Sequence, residues 1–175
     1  NRFSQIYLAA DKKLYLPDFW RNGVCLAHGE TDNMAQLAEI LNCWLCSDIN
    51  TRALQEKFQC VVATEKATAF DENREVEYTW NVLLHDNSRA DIRSFVELAI
   101  EDKILSTLFP FTSLTTLCFS RCTGYPYTYD TPIVIPISTD IYEVRLSNNY
   151  LVGTGSAMAA LHMVKQHLSP DLKPA

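Results

Sequence analysis

The spacing of the apolar residues changes twice along this chain, and this change constrains the fold more than any other feature. Near the start, short runs such as Phe3 to Ala9 and Val24 to His28 are typical of β-strands. Between about residues 33 and 108 the apolar residues recur at helical spacing, and after residue 115 the two-residue period of a strand returns. A last helical period follows Gly155. The order strands, helices, strands, helix predicts an α+β fold, with a mostly antiparallel sheet and helices packed on one face.

The apolar periods and the polar residues beside them predict where several helices begin and end. The apolar stripe of the second long helix consists of Val76, Trp80, Leu83 and Leu84. We expect Asp71 and Glu72 to open this helix, because acidic side chains suit the positive end of a helix dipole. The first long helix is predicted at about residues 33 to 46, and Thr31 or Asp32 is expected to cap it. Pro110 is expected to end the helical turn that contains Leu105 and Leu108, and the last helix is expected to end at Ser169-Pro170.

Length and charge limit the classes of protein that this chain can represent. A length of 175 residues predicts one α+β domain over residues 1–175. The net charge is −6, and the basic stripe that a nucleic-acid binder needs is not visible in the sequence. No apolar run approaches the roughly 18 residues required to cross a bilayer. We therefore expect no nucleic acid and no membrane as partner, whereas an acidic surface suits a basic protein.

The cysteines and histidines do not form a recognisable catalytic or metal motif. The six cysteines are predicted to be free thiols in a reducing cytoplasm, because a chain of this length does not need a disulfide framework. Cys43 and Cys46 have the spacing of a metal knuckle, but they lie within a predicted helix, and no second pair completes a ligand set. The four histidines are scattered and show no HExxH pattern. The sequence therefore predicts no catalytic residue, no metal and no cofactor.

An aromatic loop is the strongest candidate for a functional surface. Arg121 and Asp130 stand at its two ends, and Gly124, Pro126 and Pro132 favour turns within it. Aromatic side chains on such a loop are typical of a recognition surface or the rim of a pocket. We predict partner binding by Tyr125, Tyr127, Tyr129 and Asp130, with Trp20 as a second aromatic anchor. Arg121 is expected to pair with Asp130 and so to shape the loop.

A second candidate is the acidic segment that precedes the second long helix. Asp71, Glu72, Glu75 and Glu77 lie within seven residues, diluted by Arg74. A charge-rich first helical turn is usually a solvated face, and paired carboxylates can also serve as acid and base. The same charges suit a basic partner. We therefore predict that Glu72 and Glu75 steer such a partner toward the protein.

Several short motifs connect the second half of the chain to a known group of sequences. The motifs are Leu108-Phe109-Pro110-Phe111-Thr112-Ser113, Phe119-Ser120-Arg121 and Thr123-Gly124-Tyr125-Pro126. With them, residues from about 40 to 175 resemble a family of bacterial proteins of unknown function that are often labelled natural-product biosynthesis proteins. The resemblance implies a polar residue, commonly His, after the Ser of the first motif. This chain has Leu114 there, which argues against a catalytic role at that position.

Two function classes follow from these observations. By class analogy, a small acidic α+β protein resembles the immunity proteins encoded beside bacterial toxins. The first hypothesis is therefore a cytoplasmic immunity-type protein that binds a cognate toxin of basic charge and neutralises it by occluding its active site. The alternative is a small enzyme or ligand-binding accessory protein of a biosynthetic cluster, with a pocket near Arg121 and with Tyr127 and Asp130 as polar contacts.

Overall fold

The chain folds into two compact units, each with its own antiparallel sheet. The computed structural model describes residues 1–169 and 171–174. The units are Asn1–Arg74 and Glu75–Ala175. The predicted α+β class is confirmed, but the strands form two sheets rather than one, because each group of strands packs against helices close to it in sequence. That both units together make one domain, 1–175, stays a prediction. Within the described residues, no helix has the length and apolarity that a membrane crossing requires.

The first unit contains a four-stranded sheet in the order β1-β2-β3-β4. Its elements are β1 (Arg2–Leu8), β2 (Tyr15–Arg21), β3 (Val24–Gly29), α1 (Met34–Cys46), α2 (Thr51–Lys57), β4 (Val61–Ala63) and α3 (Ala67–Asp71). Its core combines strand and helix residues, with Phe19 of β2 edge-on to Trp44 of α1 at a centroid distance of 5.8 Å. Burial of this apolar face explains why α1 and α2 lie on the sheet.

The predicted cap of the first long helix is wrong by one or two residues. The cap of α1 is Asn33, whose side chain accepts hydrogen bonds from the amides of Ala35 and Gln36, rather than Thr31 or Asp32. Asparagine serves this role as well as threonine or aspartate does, so composition alone does not separate neighbouring candidates.

The prediction that Asp71 and Glu72 open the second long helix is wrong, because both residues belong to the end of α3 in the first unit. Asp71 is the last residue of α3, and its carboxylate accepts a hydrogen bond from the Thr51 amide at 2.9 Å. The same carboxylate forms an ion pair with Arg21 at 3.0 Å. The charge therefore binds two elements of the first unit together, while the long helix begins four residues later, at Glu75.

The second unit contains a five-stranded sheet in the order β5-β6-β7-β8-β9. Its elements are α4 (Glu75–His85), a 3₁₀ helix (Asn87–Ile92), α5 (Arg93–Ile100), a 3₁₀ turn (Leu105–Thr107), β5 (Phe109–Ser113), β6 (Thr116–Ser120), β7 (Ile133–Ser138), β8 (Ile141–Arg145), β9 (Leu151–Gly155) and α6 (Ala157–Gln166). Buried residues on one face of this sheet, among them Phe119 and Tyr142, pack against Trp80, Phe95 and other helical residues. The predicted packing of helices on one face is therefore present in this unit.

The ends of two helices in the second unit differ from the predictions. Pro110 does not end a helical turn, because it lies inside β5, an edge strand, where a missing amide need not break the ladder. The last helix, α6, ends at Gln166, before the predicted stop at Ser169-Pro170. Pro170, and Ala175 at the end of the resembling segment, lie outside the described residues.

The six cysteines are free thiols, as predicted. Cys43 is buried on α1 and Cys46 is exposed, so the two do not share a common environment. The Lys57 ammonium lies 3.1 Å from the Cys43 sulfur. The spacing of Cys43 and Cys46 therefore reflects their positions about one turn apart on α1.

Asp102 gives the second unit a stability that depends on pH. Its nearly buried carboxylate lies 2.5 Å from the Lys165 ammonium of α6 and accepts hydrogen bonds from the Ile104 and Leu105 amides. Burial alone would raise the pKa of Asp102, but the bond from Lys165 and those from the two amides outweigh it, and the pKa lies below its ordinary value of 3.8. The ionised form is therefore favoured in the folded state.

We expect Asp102→Asn to lower the free energy of unfolding at neutral pH by about 1–3 kcal/mol, the range for a hydrogen bond to a charged group. Because the folded-state pKa is depressed, this contribution is complete above the ordinary pKa of 3.8 and disappears as the pH falls through the lower folded-state value. Urea unfolding at a series of pH values should show a smaller loss of stability on acidification in the variant. The exposed neighbour Glu101→Gln is the control, and equal acid sensitivity of wild type and Asp102→Asn would contradict the prediction.

Candidate functional site

The aromatic loop (residues 121–132) is fastened at its base by hydroxyl groups. Ser120, fully buried at the end of β6, accepts hydrogen bonds from the Cys122 amide at 3.0 Å and the Thr128 amide at 3.1 Å. On the far side of the loop, the Thr131 hydroxyl donates to a β6 carbonyl at 2.9 Å. Both ends of the loop are therefore bound to the same strand, although the loop itself has no regular secondary structure.

Arg121 and Asp130 close the loop from outside, as predicted. The Arg121 Nε and Asp130 Oδ2 atoms are 2.9 Å apart, and both side chains are partly exposed. The Arg121 amide also donates to the Thr128 hydroxyl at 2.9 Å. An exposed ion pair contributes at most about 1 kcal/mol to stability, so its main effect is to fix the distance between the loop ends.

The loop tyrosines stack on the outer face of β5, opposite the helices. Tyr127 lies nearly parallel to Phe111 at a centroid distance of 4.1 Å and to Phe109 at 6.0 Å. Tyr129 meets Phe111 edge-on at 6.1 Å, and Tyr125 meets Tyr127 edge-on at 6.3 Å. Both edge-on and offset-stacked arrangements are favourable for aromatic rings. Five rings therefore hold one another in place on this face.

The three tyrosines differ in their access to solvent. Tyr125 and Tyr129 are 69% and 59% exposed. Tyr127 is half-buried, and burial, with a smaller effect of Tyr129, raises the pKa of its phenol. Tyr125 and Tyr129 can therefore contact a partner directly, whereas Tyr127 supports them from below.

The tip of the β5–β6 hairpin presents a further exposed apolar side chain. It was not among the binding residues predicted from the sequence. Leu114 is 95% exposed and has a positive φ of 54°. The Arg89 guanidinium donates to the carbonyls of Leu114 at 3.1 Å and Thr115 at 2.9 Å, and Arg89 also pairs with Asp91. A left-handed backbone costs a non-glycine residue about 1–2 kcal/mol. The bonds from Arg89 therefore help to hold a conformation that exposes a large apolar group.

A small cavity of about 230 Å³ lies beside the loop. Its lining includes the hydroxyl-bearing residues Thr116, Thr128 and Thr131, the ring of Tyr129 and the thiol of Cys118. Burial raises the pKa of Cys118 to about 11, so this thiol is protonated at neutral pH and is a poor nucleophile. The cavity can accept hydrogen-bonding groups of a ligand or a partner side chain.

The other predicted binding residues lie apart from the loop along the chain, and two of them belong to the first unit. Trp20, in β2 of the first unit, is half-buried and stacks on Phe3 at 5.4 Å. Glu72 follows the last residue of α3 in the first unit, is exposed, and forms an ion pair with Arg74. Glu75 begins α4 in the second unit and is half-buried. Tyr125, Tyr127, Tyr129 and Asp130 lie on one loop, and the binding roles of these four residues and of Trp20, Glu72 and Glu75 all stay predictions.

Sequence reasoning found the loop but not its supports. Phe109 and Phe111 belong to a strand at a place where the sequence predicted the end of a helix. Arg89 is 25 residues away along the chain from Leu114, whose carbonyl it binds. The motif Phe-Pro-Phe was a usable signal, because two aromatic residues in an i, i+2 relation share one face of a strand. For Arg89 the sequence carries no comparable signal.

Comparison with known proteins places the second unit in a family. No curated protein and no solved structure matches the chain. A family of unknown function, DUF6193, matches residues 74–175. The match starts where the second unit starts, later than residue 40, where the resemblance was expected to begin, and it includes the whole aromatic loop. The chain therefore belongs to the family of unknown function DUF6193.

Proposed function

We propose that this protein is an immunity-type protein that binds a cognate bacterial toxin in the cytoplasm and neutralises it by occluding the toxin's active site. The observation that carries the proposal is the aromatic loop, which exposes Tyr125 and Tyr129 on a base fixed by hydrogen bonds. Rigid tyrosines bury large areas at a small cost in conformational entropy, which is why they often dominate binding energy. Leu114 adds an exposed apolar group from the neighbouring hairpin of the same unit.

The charge of the chain supports a basic partner. The net charge is −6, and Asp130 adds a carboxylate to the aromatic loop itself. A field of one sign raises the rate at which an oppositely charged protein arrives, whereas the aromatic anchors slow its departure. The proposal therefore separates the two effects: acidic groups act on association and tyrosines act on dissociation.

The direct test is co-purification with the product of the adjacent gene. We expect a stable complex of the two proteins and loss of the partner's toxic activity when the complex forms. Toxicity of the partner expressed alone, and its suppression by co-expression of this chain, provide the cellular readout. A neighbouring product that forms no complex with this chain would contradict the proposal.

Reversal of charge is expected to slow association with the toxin. Glu72→Lys combined with Glu75→Lys should lower the association rate at low salt by about 3–10-fold, and the difference should shrink in high salt, because ions screen the field. Glu75 is expected to contribute more than Glu72, because Arg74 partly neutralises Glu72. Stopped-flow binding measures the effect, and Glu97→Lys on α5 is the control for an exposed carboxylate elsewhere. An effect of the double variant that does not change with salt would exclude steering.

One observation favours the alternative of a small enzyme or ligand-binding accessory protein of a biosynthetic cluster. The cavity of about 230 Å³ is lined by residues of the aromatic loop, which the Arg121–Asp130 pair closes. Turnover of a small substrate that disappears in Arg121→Ala would favour this function over toxin binding. Thermal stabilisation by a small molecule that is lost in Thr128→Val, without turnover, would indicate a binding protein instead.

A further inference from the structure

Three side chains of different chemistry meet on one face of the first sheet, in the unit that the family match leaves out. His28 Nδ1 lies 2.7 Å from Asp18 Oδ1 and 4.0 Å from Cys25 Sγ. One ligand atom from each residue lies within 4.8 Å of the other two. The His28 side chain is 60% exposed and Asp18 is 20% exposed, so the cluster opens to solvent on one side. Carboxylate, thiol and imidazole are the groups that bind transition metals in proteins.

A β-bulge brings the three residues together. Asp18 of β2 faces His28 of β3, and Trp20 of β2 faces Cys25, which leaves Leu26 without a partner. In a regular strand, residues three apart point to opposite faces, but the extra residue of a bulge restores the same face. Cys25 and His28 therefore converge, although residues three apart would point to opposite faces of a regular strand.

The geometry does not fit a nucleophilic thiol. In a Cys–His–Asp triad, the histidine uses one ring nitrogen for the carboxylate and the other for the thiol. Here the same nitrogen, Nδ1, faces both groups. Burial, followed by the charge of Asp18, also raises the pKa of the Cys25 thiol, which opposes formation of a free thiolate. Convergence of three groups on one point is the arrangement of metal ligands instead.

We propose that Asp18, Cys25 and His28 form a zinc site with an open fourth position toward solvent. Tetrahedral zinc has bonds of about 2.0–2.3 Å, so neighbouring ligand atoms lie about 3.3–3.6 Å apart. The pair of His28 and Asp18 is closer than this and the pair of Cys25 and His28 is farther, and a change of about half an ångström brings each of these two separations to the tetrahedral range. The Asp18 oxygen and the Cys25 sulfur lie within 4.8 Å of one another. The exposure of His28 permits a movement of its side chain.

The charges of the ligand set suit a divalent ion. With Cys25 as thiolate and Asp18 as carboxylate, the two negative charges balance those of Zn²⁺, while His28 adds a neutral nitrogen. The positive charge of Lys66 acts on Cys25, and it would repel a bound cation. This site does not depend on the proposed binding of a toxin, because its residues lie in the first unit and the aromatic loop lies in the second.

The test is metal binding to the purified chain after removal of bound metal with a chelator. We expect uptake of one equivalent of Zn²⁺ in calorimetric titration, and a higher melting temperature with the metal, since a ligand of the folded state stabilises it. Co²⁺ used as a probe should give a sulfur-to-cobalt charge-transfer absorption. Cys25→Ser should abolish this absorption, and His28→Ala and Asp18→Asn should each lower the zinc affinity at least about 10-fold.

Matched variants separate this site from adventitious binding. Cys46→Ser removes an exposed thiol of the same unit, and His85→Ala removes an exposed histidine of the second unit. Both should bind zinc and cobalt as the wild type does. Absence of stoichiometric zinc uptake by the wild type would overturn the proposal, and so would a cobalt spectrum unchanged in Cys25→Ser. Circular dichroism of each metal-free variant shows whether it is folded. If Cys25→Ser or His28→Ala does not fold, Asp18→Asn provides the test, because it preserves the shape of the side chain.

Discussion

Replacing Trp80 by alanine is expected to lower the free energy of unfolding by about 3–5 kcal/mol, the range observed when a large buried aromatic residue is removed. Trp80 is 3% exposed and stacks on Phe119 at a centroid distance of 6.0 Å. Its indole nitrogen also donates to the carbonyl of Leu108 at 3.1 Å. The substitution therefore leaves both a cavity and a buried carbonyl without its partner, and the second effect adds to the first.

Urea unfolding followed by circular dichroism measures this loss. Trp80→Phe should lose less stability than Trp80→Ala, because it preserves part of the ring volume while it loses the hydrogen bond. Val82→Ala, at a position that is 46% exposed on the same helix, is the matched control and should change stability by less than about 1 kcal/mol. A loss of less than about 1 kcal/mol in Trp80→Ala would show that the helix does not pack through this residue.

The second large effect concerns affinity for the proposed toxin. Tyr125→Ala and Tyr129→Ala should each weaken the complex by about 1–4 kcal/mol, chiefly through faster dissociation, because exposed aromatic anchors make contacts that form after the encounter. Tyr127→Ala should also weaken binding by about 1–4 kcal/mol without unfolding the unit. This effect is indirect, because the loop packs on β5 through the stack of Tyr127 on Phe111. Tyr127→Phe preserves the stack and should restore the affinity.

Surface-plasmon measurements of these variants against the co-purified partner give the rates. Met158→Ala is the control, because Met158 is a 62% exposed apolar residue on α6, the helix layer behind the sheet. Circular dichroism checks that each variant is folded. If Tyr125→Ala and Tyr129→Ala both dissociate at the wild-type rate, the aromatic loop is not the binding surface.

The parts of the fold that depend on local pattern were predictable. The first long helix was predicted at about residues 33 to 46 and is observed at Met34–Cys46, and Trp80 is buried as its helical stripe indicated. The prediction for Asp71 was wrong because its charge can stabilise either the start of a helix or a distant arginine. Only the folded chain brings Arg21 close to it. The division into two sheets was not predictable for a similar reason, since strand pairing is a long-range property.

In the candidate site, too, the features that depend on neighbouring residues were predictable and those that depend on distant contacts were not. The tyrosines and the Arg121–Asp130 pair were visible in the sequence because they are close along the chain. The phenylalanines beneath the loop depend on the register of β5, and the clamp of Arg89 on Leu114 spans 25 residues. The cluster of Asp18, Cys25 and His28 depends on a single bulge, and the spacing of its residues gives no sign of it.

The fastening of the aromatic loop has a consequence for how this protein can diverge. The groups that set the backbone, Ser120, Thr128 and Thr131, are distinct from the rings that reach solvent, Tyr125 and Tyr129. Substitutions at the exposed positions need not disturb the hydrogen bonds at the base. Under the proposed function, changes at the outward-facing positions would alter which partner is bound while the hydrogen bonds at the base keep the backbone in place.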